Sequence, residues 1–440
     1  MSERIIIQGG KELNGEITIG GAKNAVLKLM AASILLNDSC EIYNVPELTD
    51  VETMIEVLNH IGIQTKYTPE KKHLYINGKT LSSYEACYEL VSKMRASFNV
   101  LGALLGRCKE AKVALPGGCA IGERRIDLHI KGLEALGAKI RIENGYVIAK
   151  ATKLVGADIY LDRLSVGATE NLMLAAVLAE GSTRISNAAQ EPEIVDLANF
   201  LNSMGADING AGSSEVIING VKPEDLHSTV YSTIPDRIEA ASYMAAVVAA
   251  KGKAIIRNVF PNHLNSVTSK LTAMGASINL IEPCTIEVSN YSRPKAVDLV
   301  TQPYPGFPTD LQSPFMSILT IAEGISVINE SIYENRFRQV GELRRMGADV
   351  QQEGNHAIIK GVDHLTGAHV KASDLRAGAA LIVASLCANG ISEIDNLQYI
   401  DRGYEKLVYK LKSLGANIKR IDAECLHPEN NANINEIYTF

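Results

Sequence analysis

The chain has 440 residues, an apolar fraction of 46% and a net charge of −7. The mild acidity excludes a general nucleic-acid binder, which usually carries a surplus of basic residues. The apolar stretches 240–250 and 377–388 are shorter than the roughly 18–20 residues of a membrane-spanning helix, so we expect no membrane insertion. Seven scattered cysteines without CxxC or metal-like spacing predict a reduced, cytoplasmic chain.

One short phrase recurs six times along the chain: an apolar residue, glycine, usually alanine, a polar residue and a β-branched residue. Successive glycines of this phrase are 68 to 75 residues apart. They are Gly62, Gly137, Gly205, Gly275, Gly347 and Gly415. The apolar residues before the glycine follow helical spacing, and the glycine itself predicts a left-handed helix cap. The alternating residues after it predict a strand and, at Asn144-Gly145, a hairpin turn.

A second phrase, a glycine followed by a strand that ends near asparagine, recurs at 181–187, 252–258 and 390–396. Each copy follows an alanine-rich apolar segment that predicts a buried helix. One unit is therefore a buried helix, a strand, an amphipathic helix and a hairpin, which makes the chain α/β. Six such units could form a solenoid, but repeats of about 70 residues exceed the usual 20–50. We expect two domains of three units, with the midpoint near 232–235.

A loop rich in glycine and proline, Leu115 to Gly122, contains Cys119 and is followed by Arg124 and Arg125. A free cysteine is more often buried in an apolar element, and neighbouring arginines favour a reactive thiolate. The alternative is an ordinary loop with an incidental thiol.

A second candidate is Gly20-Gly21-Ala22-Lys23, where glycines lead into a predicted helix. Such a start can present backbone N–H groups to an anion, and Lys23 adds positive charge. The alternative is a plain helix start with a solvated lysine, and no GxGxxG or GxxxxGK[ST] pattern is present.

Five arginines lie beside glycine, aspartate or asparagine rather than on charged helix faces: Arg95, Arg124, Arg336, Arg376 and Arg402. Guanidinium groups suit bidentate contacts to phosphate and carboxylate, so an anion site is one interpretation and surface ion pairs are the other. We interpret Asp374-Leu375-Arg376 and Asp401-Arg402-Gly403 as occupying similar places in successive units.

Asp310 follows a Pro-Thr turn and is a candidate general base, although an N-cap of the apolar helix predicted over 311–322 is the alternative. His129 falls on an amphipathic helix and is interpreted as structural.

Together the motifs at 116–122, 165–171, 191–196 and 307–312 resemble the enolpyruvyl transferase family, and the resemblance covers essentially the whole chain. It implies a two-domain inside-out α/β barrel, in which helices lie inside and sheets outside, with three copies of the repeat in each domain. It also implies a discontinuous second domain and an active site in the cleft between domains. The expected domains are 23–233, then 1–22 with 234–422, followed by a polar tail at 423–440 that we expect to fray.

The resemblance also implies a reaction, which is the first committed step of peptidoglycan biosynthesis. The enolpyruvyl group of phosphoenolpyruvate moves to the 3-hydroxyl of UDP-N-acetylglucosamine by addition and elimination, and phosphate is released. No cofactor and no metal are implied. Cys119 matches the proton donor, and Asp310 matches the group that takes the hydroxyl proton. Residues that match phosphoenolpyruvate contacts, with Lys23 and Arg402 also catalytic, are Lys23, Asn24, Arg124, Arg376 and Arg402.

The nucleotide-sugar contacts implied by the resemblance are Asn24, Arg95, Arg124, Arg125, Ile126, Asp127, Leu128, Arg163, Leu164, Ser165, Val166, Gly167, Asp310 and Ile332. Arg125 stands where the family usually has proline, which adds charge beside the expected uracil contacts. Arg163 stands where some relatives have lysine, so a cation is retained.

Three alternatives stay open. A 5-enolpyruvylshikimate-3-phosphate synthase shares the fold and the donor substrate but lacks the Pro-Gly-Gly-Cys loop. A protein similar to RNA 3′-phosphate cyclase would need a nucleotidylated histidine in a suitable motif. A catalytically inactive homologue would have lost some of the residues named above, yet Lys23, Cys119, Asp310 and Arg402 are all present.

Overall fold

The computed structural model describes residues 3–117, 122 and 125–422. These residues form two compact units, divided after Gly20 and after Ile234. The first unit contains residues 21–117 and 125–234, and the second contains residues 3–20, 122 and 235–422. The expected fraying tail at 423–440 lies outside the described residues.

The described residues form 24 strands and 13 α-helices. The strands are β1 (Glu3–Gln8), β2 (Leu13–Thr18), β3 (Ser39–Tyr43), β4 (Gln64–Thr68), β5 (His73–Asn77), β6 (Glu85–Ala86), β7 (Glu110–Ala114), β8 (Lys139–Glu143), β9 (Tyr146–Lys150), β10 (Asp158–Tyr160), β11 (Ser182–Ser186), β12 (Asp207–Asn209), β13 (Glu215–Asn219), β14 (Thr229–Ser232), β15 (Gly252–Arg257), β16 (Ser277–Glu282), β17 (Thr285–Asn290), β18 (Leu299–Val300), β19 (Ile325–Asn329), β20 (Asp349–Glu353), β21 (His356–Lys360), β22 (His369–Lys371), β23 (Ile391–Asp395) and β24 (Asn417–Asp422). The helices are α1 (Lys23–Ala32), α2 (Thr49–His60), α3 (Tyr88–Val91), α4 (Val100–Cys108), α5 (Asp127–Ala135), α6 (Val166–Ala176), α7 (Pro192–Ser203), α8 (Arg237–Ala250), α9 (Asn265–Ala273), α10 (Gln312–Leu319), α11 (Val340–Arg345), α12 (Leu375–Cys387) and α13 (Leu407–Ser413).

Six four-stranded sheets repeat one pattern of pairing. In each sheet the first two strands are parallel, and the third strand is antiparallel to both of its neighbours. An example is the order β10-β11-β13-β12. The other five orders are β14-β3-β5-β4, β6-β7-β9-β8, β2-β15-β17-β16, β18-β19-β21-β20 and β22-β23-β1-β24. Three sheets belong to each unit, so the predicted three copies of one α/β repeat per unit are confirmed.

The turn chemistry read from the repeated phrase is also confirmed. All six glycines of the phrase have a positive φ, between +87° and +104°. At Gly137, which follows α5, the backbone N–H donates to Glu134 and the next N–H donates to Leu133, which satisfies carbonyls left open at the helix end. Asn144 and Gly145 have φ of +52° and +78°, as a two-residue hairpin between β8 and β9 requires.

Alanine-rich helices form the interior of each unit and the sheets cover it. In the second unit α8, α10 and α12 pack against one another, and residues 238–250 of α8 are all buried. In the first unit α4 packs against α1 and α6. The strands alternate between buried and exposed side chains, as in β21, so one face of each sheet meets the helices and the other meets solvent. This arrangement is the predicted inside-out barrel.

Two sheets contain strands from the start of the chain. β1 lies between β23 and β24, and β2 pairs in parallel with β15, so residues 3–20 complete the second unit. The first unit is completed in a similar way, because β14 pairs in parallel with β3. Among the described residues, no helix has both the length and the apolarity needed to cross a bilayer.

Candidate active site

In the second unit, Asp310 lies in a 3₁₀ turn (Thr309–Leu311) that leads into α10. Its Oδ1 is 2.5 Å from Nη2 of Arg336, and its Oδ2 is 2.7 Å from Nη2 of Arg376. Arg336 and Arg376 are 3% and 7% exposed at the side chain, whereas Asp310 is 26% exposed. The N-cap alternative is wrong, because Leu311, not Asp310, occupies the N-cap position of α10, and the Asp310 carboxylate faces two guanidinium groups.

Glu330, directly after β19, makes hydrogen bonds to the turn that carries Asp310 and to the backbone of the segment that follows β19. It is 2% exposed, and its Oε1 accepts hydrogen bonds from the backbone N–H groups of Ile332 (2.9 Å) and Tyr333 (3.1 Å). Its Oε2 accepts from Oγ1 of Thr309, which precedes Asp310. One buried side chain therefore fixes both the turn that carries the predicted base and the segment that carries Ile332.

Arg376 lies in the first turn of α12, which is capped by Asp374. Its Nη1 is 3.3 Å from the hydroxyl of Tyr404, which also contacts Oγ of Ser242 at 2.8 Å. Burial by itself would lower the pKa of Arg376, but the charge of Asp310, followed by that of Tyr404, raises the pKa above its usual value. The guanidinium is thus held positively charged and in a fixed plane.

Arg402 lies half-buried in the turn between Leu397–Tyr399 and α13. The preceding residue, Asp401, accepts two hydrogen bonds of 2.8 Å from the guanidinium of Arg420 in β24. Asp374 instead caps a buried helix, so the two Asp–Arg pairs do not occupy similar places in successive units, and that interpretation is corrected. The similar Asp-Arg sequences were misleading, because one pair precedes the buried helix α12 and the other precedes α13.

In the first unit, Lys23 and Asn24 begin α1 and are half-buried. Nζ of Lys23 is 3.0 Å from Oδ2 of Asp50, which is buried in the first turn of α2. The backbone just before α1 is tightly packed, since a Cβ on Gly21 would lie 1.7 Å from the carbonyl oxygen of Asn44. Glycine is therefore required there by close approach, and the lysine is not simply solvated.

The predicted nucleotide-sugar residues of the first unit other than Asn24 lie on or beside three elements. Arg95 begins a 3₁₀ turn (Arg95–Asn99) and is half-buried. Arg163 makes a bidentate ion pair with Asp127 at the start of α5, and this hydrogen bonding lowers the pKa of Asp127. Ser165 caps α6 by accepting from the N–H of Ala168.

The remaining residues of that set have simple positions. Arg125 and Leu164 are exposed, Leu128 is buried, and Ile126, Val166 and Gly167 are half-buried. His129 is structural as expected: it is 5% exposed, Asn171 donates to its Nδ1, and burial, followed by the charge of Arg95, lowers its pKa to about 3.

Two predicted residues, Cys119 and Arg124, lie outside the described residues. Sequence reasoning missed Asp50, Glu330 and the buried pair Lys28–Glu170. For Lys28 the sequence did contain a signal, because this lysine stands among apolar residues within α1. Across the part of the chain that the structure describes, no group of three or more His, Cys, Asp or Glu side chains is arranged to hold a metal.

Comparisons with known proteins agree over nearly the whole chain. The family model of EPSP synthase (3-phosphoshikimate 1-carboxyvinyltransferase) matches residues 7–411. The chain is 52% identical to the UDP-N-acetylglucosamine 1-carboxyvinyltransferase of Gloeobacter violaceus, over 94% of this chain and 90% of that protein. It is 51% identical to UDP-N-acetylglucosamine 1-carboxyvinyltransferase 2 of Carboxydothermus hydrogenoformans, over 95% and 99%.

Solved structures agree on the fold. The enolpyruvyl transferase NikO from Streptomyces tendae superimposes with a TM-score of 0.86 at 24% identity, covering 95% of this chain and 99% of that one. EPSP synthase from Acinetobacter baumannii gives a TM-score of 0.72 at 19% identity, covering 96% and 100%.

Proposed function

Because the chain belongs to the EPSP synthase family and, within it, to the UDP-N-acetylglucosamine 1-carboxyvinyltransferases, we propose that it transfers the enolpyruvyl group of phosphoenolpyruvate to the 3-hydroxyl of UDP-N-acetylglucosamine and releases phosphate. The observation that carries the proposal is the Asp310 carboxylate between two guanidinium groups. The process is peptidoglycan synthesis, and therefore cell-wall biogenesis, cell shape and cell division.

The reaction requires a proton acceptor at the sugar hydroxyl and a proton donor at C3 of phosphoenolpyruvate. Asp310 takes the hydroxyl proton as the oxygen bonds to C2, while Cys119 gives a proton to C3. The Cys119 thiolate then takes a proton back from C3, and phosphate leaves C2 with the proton that Asp310 accepted, so that the C–O bond to phosphate breaks and the double bond returns. An ionised carboxylate is the form that accepts a proton, and two adjacent guanidinium groups favour that form.

Phosphoenolpyruvate carries a phosphate and a carboxylate, so its site needs fixed positive charge. Lys23, Arg124, Arg376 and Arg402 supply it, and Asn24 adds an amide. Arg376 is well suited because its burial and its contact with Tyr404 leave the guanidinium little freedom. UDP-N-acetylglucosamine is bound by Asn24, Asp310, Ile332, Arg95 and the segments 124–128 and 163–167.

We place the protein in the cytoplasm. The described cysteines, Cys40, Cys87, Cys108, Cys284 and Cys387, are all free thiols, as a reducing compartment permits.

The test is phosphate release from phosphoenolpyruvate with and without UDP-N-acetylglucosamine. We expect release that depends on the sugar nucleotide and is abolished by fosfomycin, an epoxide that alkylates the loop thiol in this family. Cys119→Ser removes the proposed proton donor, so sugar-dependent release should fall strongly. Cys284→Ser, which changes an exposed cysteine in a hairpin turn, should keep both the release and its sensitivity to fosfomycin.

Other outcomes contradict the proposal in different ways. Release with shikimate 3-phosphate but not with UDP-N-acetylglucosamine would assign the chain to the 5-enolpyruvylshikimate-3-phosphate synthases. No release with either acceptor would identify an inactive homologue. Sugar-dependent release that fosfomycin does not affect would keep the reaction and remove Cys119 from its role.

A further inference from the structure

A buried ion pair lies beneath the N-terminal turn of α1 in the first unit. Nζ of Lys28 is 3.0 Å from Oε1 of Glu170, and the two side chains are 9% and 1% exposed. Nδ2 of Asn99 donates to the other oxygen of Glu170 at 2.7 Å. Lys28 also donates to the carbonyl oxygen of Asn24 at 3.2 Å. Both carboxylate oxygens and two donors of the ammonium group are thereby used.

The network continues through Asn171, the residue after Glu170. Its Oδ1 accepts from the N–H of Gly102 at 2.6 Å, and its Nδ2 donates to Nδ1 of His129 at 2.9 Å. Its Nδ2 also donates to the carbonyl oxygen of Phe98 at 3.2 Å. The buried polar side chains thus join α1, the turn 95–99, α5 and α6 by directional bonds.

Each of these elements carries a residue that the proposed function assigns to the nucleotide sugar. Asn24 lies one helical turn before Lys28, and Arg95 begins the turn that ends at Asn99. Residues 165–167 lead into the turn of α6 that contains Glu170, and Leu128 precedes His129. The network is therefore located where it can set the spacing of groups that would contact one ligand.

Stability alone is a weak reason for this pair. Removing two charges from water is unfavourable, and apolar side chains of similar volume in place of a buried ion pair are often equally or more stable. Desolvation raises the pKa of Glu170 even though Lys28 and Asn99 oppose that shift. The ion pair supplies bonds with a fixed direction, which apolar packing does not.

We propose that Lys28 and Glu170 are positioning residues for UDP-N-acetylglucosamine, which hold α1, the turn 95–99 and α6 in the mutual register that its binding needs. The inference rests on the proposed function.

The decisive variant is the double replacement Lys28→Met/Glu170→Met, which removes both charges and keeps apolar volume. We expect its melting temperature to match or exceed that of the wild type. We expect its KM for UDP-N-acetylglucosamine to rise roughly tenfold, with a smaller change in kcat, because the contacting groups lose their register. If the pair is purely structural, the double variant will keep both its melting temperature and its KM for UDP-N-acetylglucosamine. That result would overturn the proposal.

Two further variants complete the test. Lys153→Met/Glu180→Met removes an exposed pair of the same unit, 61% and 65% exposed, and should leave KM unchanged. If the buried double variant does not fold, Glu170→Gln keeps the shape, weakens the bonds to Lys28 and Asn99, and should still raise KM. An unchanged KM in a folded Glu170→Gln would then overturn the inference. Wild-type protein without sugar-dependent phosphate release would instead overturn the proposed function.

Discussion

Two carboxylates, Asp310 of the second unit and Asp196 of the first, differ in the neighbours that surround them. Asp310 is partly exposed and is contacted by two guanidinium groups. Asp196, on α7, is 1% exposed, and its Oδ1 accepts a hydrogen bond of 2.7 Å from the neutral hydroxyl of Tyr231. Desolvation raises the pKa of Asp196 to about 7, although the bond from Tyr231 opposes the shift.

The difference teaches that burial and charged partners together decide what a carboxylate can do. A carboxylate opposite two cations stays ionised and can accept a proton from a substrate. Burial favours the protonated form of Asp196, and its bond with Tyr231 joins α7 to β14. The predictions below change one side of this comparison at a time.

The largest expected effect is on turnover. Asp310→Asn removes the proton acceptor, and kcat for sugar-dependent phosphate release should fall about 10²–10⁴-fold. Asp196→Asn is the matched control, because the same chemical change lies outside the proposed site and should leave kcat at pH 7 unchanged. A kcat within tenfold of wild type for Asp310→Asn would contradict the assignment of the base.

The next effect is on stability as a function of pH. Folded Asp196 keeps its proton up to about pH 7, whereas the unfolded chain releases it near the ordinary aspartate value. Unfolding therefore releases a proton between those values, and stability falls as pH rises through this window and is level above it. The contribution is about 1.4 kcal/mol for each pKa unit of difference.

Asp196→Asn has no such proton, so its melting temperature relative to wild type should rise between pH 5 and pH 8. Thermal unfolding at several pH values measures this. Parallel curves for the two proteins would show that Asp196 is ionised in the folded state at all these values.

A smaller loss is expected for Arg376→Lys. Lysine keeps the charge but lacks the planar fork that contacts both Asp310 and Tyr404, so kcat/KM for phosphoenolpyruvate should fall roughly 10²-fold. Arg293→Lys provides a control, since Arg293 bonds mainly to backbone carbonyls such as that of Ile321 and has no proposed substrate contact. Steady-state kinetics with phosphoenolpyruvate varied would check it, and equal losses in both variants would contradict it.

The smallest effect concerns the ion pair of Arg163 with Asp127, which is about half exposed at both side chains. Arg163→Lys should change the free energy of unfolding by less than about 1 kcal/mol, because solvent screens such pairs. Denaturant unfolding measures it. A larger loss would mean that the contact contributes to the packing of α5 against α6.

The sequence predicted the parts of the fold that local chemistry decides. Gly137 and Asn144-Gly145 need left-handed backbone angles, and the apolar spacing before each glycine follows the helical period, so the repeat could be identified from neighbours in the chain. The pairing of β1 with β23 and β24 could not be identified in this way, because strands almost 400 residues apart leave no local pattern in the sequence.

The same division applies to the candidate site. Lys23, Asp310 and Arg376 were identified by motif, but their partners Asp50 and Glu330 were not, because neither lies in a distinctive local context. Lys28 and Glu170 meet across 142 positions, and only the packing of α1 against its neighbours brings a lysine and a glutamate into one buried pair. Residue types predict which side chains are chemically reactive, whereas tertiary contacts determine which side chains form hydrogen bonds and ion pairs with one another.

The position of β1 has a consequence for biosynthesis. β1 pairs with β23 and β24, which are synthesised almost 400 residues later. The unit formed by residues 21–234 can close its sheets as soon as β14 is available, while β1 and β2 wait for partners synthesised later. At about 5–20 residues per second, the apolar segment Ile5-Ile6-Ile7 waits unpaired for tens of seconds and needs protection from aggregation during that time.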